Sequence, residues 1–147
     1  MHMLGILSIR SASSPAARFS TPVYSVALLL LCSAYLQGGL VKLADFPGAV
    51  AEMQHFGLAP AALFAAAVIA FELGASLAIV FGFWRWLAAL GLALFTLAAT
   101  FIANRFWEIP PPGHFMAMNA FFEHLGLVGG FLLVAWYDLR TRAAPAK

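Results

Sequence analysis

Charge is what this sequence has least of. Its 147 residues include 8 Lys and Arg and 6 Asp and Glu, so 10% are charged, against about 25% in an ordinary soluble domain. Too few charges are present to cover a surface in water, and lipid is the solvent the composition implies. The formal net charge is only +2 and the basic residues are scattered, which excludes a nucleic-acid-binding face. Cysteine is nearly absent as well. With Cys32 alone, an internal disulfide, a Cys-x-x-Cys pair and a thiol–disulfide relay within the chain are all excluded. Leu31 is too large for the position before the cysteine of a lipoprotein processing site, so Cys32 is expected as a small buried thiol in a helix.

What the sequence has instead is apolar length. Hydrophobic residues make up 63% and mean hydropathy is +0.91. A membrane-crossing helix needs about 20 mostly apolar residues, and four runs qualify: 23–43, 60–82, 84–104 and 114–137, the last with its start between His114 and Asn119. Lipid offers no partner for unpaired peptide groups, so these spans must be helical. The fold class predicted is all-α, an integral membrane four-helix bundle. Residues 1–22 read as a cytoplasmic or interfacial lead-in, 23–137 as the membrane domain and 138–147 as a cytoplasmic tail.

Basic residues orient the bundle. Arg10, Arg18, Arg85, Arg140, Arg142 and Lys147 fall on one side, and Lys42 and Arg105 on the other, which predicts both termini in the cytoplasm. Trp84, Trp86, Trp107, Trp136 and Tyr137 sit at span ends, as an interfacial aromatic belt does. In the first outer loop Asp45 can cap a short helix, Pro47 fits its first turn and Gly57 stops it. Phe46, Val50, Met53 and Phe56 give that helix one apolar stripe, suited to lying in the interface plane. The second outer loop, with Phe106, Trp107 and Pro110-Pro111-Pro112, reads as a stiff cap. The inner turn around Gly82–Trp84 makes spans two and three antiparallel neighbours, with Arg85 as a lipid or partner contact.

Polar and small residues recur at helical spacing on every span: Ser33 and Gln37; Ala65, Glu72, Ala75 and Ser76; Ala89, Ala93, Thr96, Thr100 and Asn104; Asn119, Glu123, Gly126 and Gly130. Such stripes mark helix–helix contacts in lipid. Glu72 stands apart, because a carboxyl in mid-membrane is costly and its partner must be found. By depth the candidates are Gln37, Glu123 and His124, so that two carboxyls and an imidazole would share one site. That site suits proton transfer or hydrogen bonding to a quinone carbonyl, with Gln37, Thr100, Asn104 and Asn119 orienting the reactive groups. Lys42, at the outer end of span one, is expected to tether a partner or an anionic lipid.

Other chemistry finds less support. Glu52-x-x-His55 has the spacing of carboxylate-bridged metal sites, but the matching second motif is missing, and no metal site is predicted. A bis-histidine haem needs two histidines at matched depth, and only His124 is well inside a span. His2, His55 and His114 read as ordinary polar or interfacial residues. No catalytic residue and no cofactor held by this chain is predicted.

Several segments resemble the DoxX family in order and spacing. They are Gln37-Gly38-Gly39-Leu40-Val41-Lys42-Leu43 with Phe46-Pro47, Gly57-Leu58-Ala59-Pro60, Phe71-Glu72-Leu73-Gly74-Ala75, Gly82-Phe83-Trp84-Arg85-Trp86-Leu87-Ala88-Ala89, and Leu125-Gly126-Leu127-Val128-Gly129-Gly130-Phe131-Leu132. The resemblance extends over about residues 24–137. It implies a four-helix membrane protein associated with membrane redox systems, since the family is named for small subunits of quinone-linked assemblies. Glu123-His124 departs from the uncharged or Lys-Asn pair that relatives commonly show ahead of the fourth-span glycines. The expected function is a small accessory subunit of a quinone-linked redox complex in a prokaryotic cytoplasmic (inner) membrane. It would contact the bilayer and other membrane or redox subunits. The alternatives are a scaffold without chemistry and a small proton or solute transporter.

Overall fold

The computed structural model describes the backbone of residues 15–143 and the side chains from residue 22. The lead-in residues 1–14 and the last four residues of the tail lie outside the described residues. Every regular element among those described is helical: α1 Pro15–Ala44, α2 Phe46–His55, α3 Ala61–Phe81, α4 Arg85–Ala103 and α5 Gly113–Ala143, with a 3-10 turn at Phe106–Glu108 between the last two. Among the described residues, four helices are long and apolar enough to cross a membrane. The lead-in expected through residue 22 is helical from Pro15 onward and continuous with α1, and α5 likewise runs past Tyr137 into the tail.

Helix ends follow local chemistry. The Asp45 side chain accepts the Gly48 N–H at 3.0 Å, the capping role its position predicts. Gly82 takes a left-handed φ of +82° and donates its N–H to the Ala78 carbonyl, as does Phe83. Glycine reaches that conformation without steric cost, so α3 stops there and α4 returns beside it. Trp84 also has positive φ, +47°.

α3 packs against both α1 and α4, α4 packs along α5, and α1 and α5 touch only briefly. The bundle therefore has two unlike ends. At the turn end, near the α3–α4 turn, Leu28, Cys32, Ile79, Ala89, Leu92, Phe131 and Ala135 close into one core. At the cap end, α2 lays Ala49 and Met53 on Ala65 and Ile69 of α3. Phe101, Phe106, Trp107 and Phe121 bind the 3-10 turn to α4 and α5 through ring contacts.

Large apolar side chains cover the outside, with Leu30 69%, Phe81 80% and Leu94 69% exposed. Continuous exposure of this kind is the surface of a lipid-solvated bundle. Two of the four predicted stripes point inward, those of α3 and α4. Ser33, Gln37, Asn119, Glu123 and Gly126 face outward instead. Lipid tails are as apolar as leucine, so polarity alone does not choose the buried face; packing does. On α1 the inward face is Leu28, Cys32, Tyr35 and Gly39, where a Cβ on Gly39 would lie 2.8 Å from Leu73 Cδ2.

Candidate functional site

A cavity of about 720 Å³ occupies the cap half of the bundle. α1 supplies Tyr35, Gly38 and Lys42 to its wall, α2 supplies Glu52 and Met53, α3 Phe71 and Glu72, α4 Phe95 and Thr96, and α5 His124 and Leu127. Phe64, Ala67, Phe71, Ala98 and Ile102 line it while exposed on the outer surface. The cavity thus opens sideways between α3 and α4, toward lipid.

Its main charged feature is an ion pair. Lys42 Nζ donates to both Glu72 oxygens at 3.2 Å, and the Glu72 side chain is only 7% exposed. The expected partners Gln37, Glu123 and His124 are replaced by a residue expected at the headgroup level. Helical side chains lean toward the N-terminus, so Lys42 reaches back along α1 over Gly38, where a Cβ would stand 3.6 Å from Nζ. The sequence did hold a signal for this: Leu28, Cys32, Tyr35, Gly39 and Lys42 recur at the spacing of one helical face.

A second polar cluster lies beside the pair. Thr96 donates to the Leu92 carbonyl at 2.6 Å, so in its short hydrogen bond with Tyr35 the tyrosine is the donor. Thr100 Oγ1 and Asn104 Nδ2 stand 3.0 and 2.9 Å from Nδ1 of His124, which fixes the ring and leaves Nε2 uncommitted among the described residues. Glu72, Thr100, Asn104 and His124 are therefore gathered around one half of the bundle. Gln37, Asn119 and Glu123 lie on its outer surface and do not line the cavity.

The turn end holds a carboxylate that sequence reasoning missed. Asp138 is 7% exposed. It accepts from Arg142 Nε at 2.8 Å and from the Trp86 N–H at 3.3 Å, and Arg85 Nη1 stands 3.9 Å away. Arg85 also donates to the Ile79 carbonyl at 2.7 Å and lies over the Tyr24 ring. This places Arg85, expected as a lipid or partner contact, inside the bundle as a strap joining α1, α3, α4 and α5. Asp138 continues the inward face of His124, Phe131, Val134 and Ala135, which was the available signal.

The helices α1 to α4 carry the pattern that decides the family: residues 25–105 match the family model described as DoxX. The chain belongs to the DoxX family. It is an integral membrane protein in contact with the lipid bilayer. The DoxX match takes in Lys42, Glu72, Thr96, Thr100 and Asn104 and ends before α5, so His124 lies outside it. No curated protein and no solved structure shows a significant match to the chain.

Proposed function

We propose that this DoxX-family chain is a small accessory subunit of a quinone-linked redox complex, binding the head of a lipid-soluble quinone in the cavity beside Lys42, Glu72 and His124. The observation that carries the reading is the shape and chemistry of that cavity. It is of ligand size, largely apolar and open toward lipid, with a few convergent polar groups.

The residues present fit a quinone. A bound quinone supplies two carbonyl acceptors and takes up two electrons and two protons, the electrons coming from a partner subunit. Lys42 is a donor for one carbonyl, and Nε2 of His124, which carries the ring proton when Nδ1 accepts from Asn104 Nδ2, is a donor for the other. Glu72 and His124 are the groups that hold and exchange protons, while Thr100 and Asn104 position the imidazole. The Phe64, Phe71 and Phe95 walls seat the ring and the start of the tail. The arginines at the end bearing α1's start and α5's finish, Arg85, Arg140 and Arg142, favour an orientation with both termini in the cytoplasm. In this orientation Asp45–Gly57 would lie at the opposite interface, with Gln54 and His55 exposed.

The test is a titration of the chain in lipid nanodiscs with a short-tailed benzoquinone, followed by tryptophan fluorescence. Saturable binding is expected, weakened about tenfold or more in Lys42→Met and in His124→Ala, and unchanged in Glu108→Gln on the exposed cap. Quenching that never saturates and is equal in all variants overturns the reading and favours the scaffold. A native mass spectrum of the chain extracted gently from its own membranes tests the subunit half. A defined complex with a redox subunit supports it, and a bare monomer carrying lipid alone removes it.

A further inference from the structure

Asn119, Glu123, Gly126 and Gly130 run down one side of α5, and that side faces α1. The contact is made at Gly130, where a Cβ would stand 2.9 Å from Leu31 Cδ1. Toward the cap end the two helices part. Asn119, Glu123 and Gly126 are exposed there, as are Ala34, Gln37 and Val41 on α1. At about 1.5 Å per residue, Gln37 and Glu123 both stand roughly 10 Å beyond the Leu31–Gly130 contact. The result is an open seam, with small residues at its base and a carboxylate on its wall. Glu123 has no hydrogen bond or ion pair among the described residues, although a carboxylate facing lipid in a span is costly.

We infer that this seam is a docking groove for a transmembrane helix of another protein, one that brings a lysine or arginine to Glu123. Charge selects that occupant over a second copy of the chain. The chain's own cations nearest the spans are already engaged, Lys42 with Glu72 and Arg85 with Asp138 and the Ile79 carbonyl. Among the described residues, another copy therefore has no free cation to offer at this depth. Ala34 and Gly126 permit close backbone approach, and Asn119 supplies an amide on the face that carries Glu123. Ala34 belongs both to the seam and to the cavity wall, while the cavity's opening between α3 and α4 lies away from the seam and stays clear when the seam is filled.

The experiment uses the full chain in lipid vesicles and three synthetic Leu/Ala helices of about 20 residues, carrying a central lysine, leucine or glutamate. Association is read by energy transfer. The wild-type chain is expected to bind the lysine helix about tenfold more tightly than the leucine helix. Glu123→Gln abolishes that preference, Glu72→Gln keeps it, and Glu123→Lys transfers it to the glutamate helix. Equal binding of the lysine and leucine helices by the wild type overturns the inference. So does a preference that survives Glu123→Gln or is lost in Glu72→Gln. Self-association of the wild type that Glu123→Gln abolishes assigns the seam to a second copy and also overturns it.

Discussion

The two ends of this bundle each bury a carboxylate beside a cation, and they use it differently. At the turn end Asp138 is surrounded: two arginines and a backbone N–H converge on it from α4 and α5, and the neighbouring core is closed. At the cap end Glu72 has one partner, Lys42, and an open cavity on its other side. A carboxylate whose acceptor sites are filled by protein is a fastener, because any ligand must first displace those donors. One held by a single flexible lysine can exchange that contact for another at small structural cost. The comparison teaches where to look for chemistry: the less satisfied of two buried ion pairs.

The largest effect should come from Asp138→Ala. It leaves Arg85, Arg142 and the Trp86 N–H without their acceptor, and should lower unfolding free energy in bicelles by about 3–5 kcal/mol. A loss under 1 kcal/mol in the same measurement would break the fastener half of the comparison. Next is Lys42→Met, which leaves the Glu72 carboxylate alone in an apolar span and should cost about 2.5–3.5 kcal/mol. Adding Glu72→Gln should return stability to within about 1 kcal/mol of the wild type, while quinone binding stays weakened. That split between folding and binding is what the turn-end pair should never show. Gly39→Val pushes a side chain into Leu73 where α1 crosses α3, and should cost about 1–3 kcal/mol, read in the same unfolding assay. The smallest effect is expected for Thr100→Val, about 0.6 kcal/mol. It should also change the chemical shifts of the His124 ring, showing that the loss lies in positioning the imidazole.

Much of this was legible beforehand, for reasons that can be named. Asp45, Pro47 and Gly57 announced α2, since capping and turn chemistry act within a few residues. Gly82 announced the stop of α3 for the same reason. Thr96, Thr100 and Asn104 on α4 and Glu72 on α3 fell on inward faces, as their spacing suggested. Gln37 and Glu123 did not, although their spacing was equally regular. Lys42 stands at a span end, where a lysine usually reaches for water, and Asp138 lies beyond the apolar run.

The sequence by itself determined the number of crossings and their helical form, because runs of this length in lipid have no other way to satisfy their peptide groups. It also determined the ends of α2 and α3, through contacts local to each end, whereas α1 and α5 run past their apolar spans. Only the tertiary structure decided how each helix is rotated, and hence which carboxylate is saturated, which faces a cavity and which faces out. Rotation in a membrane is set by close packing between particular pairs, such as Gly39 on Leu73 and Gly130 on Leu31. It is not set by a hydrophobic gradient along the chain, since in lipid that gradient is nearly absent.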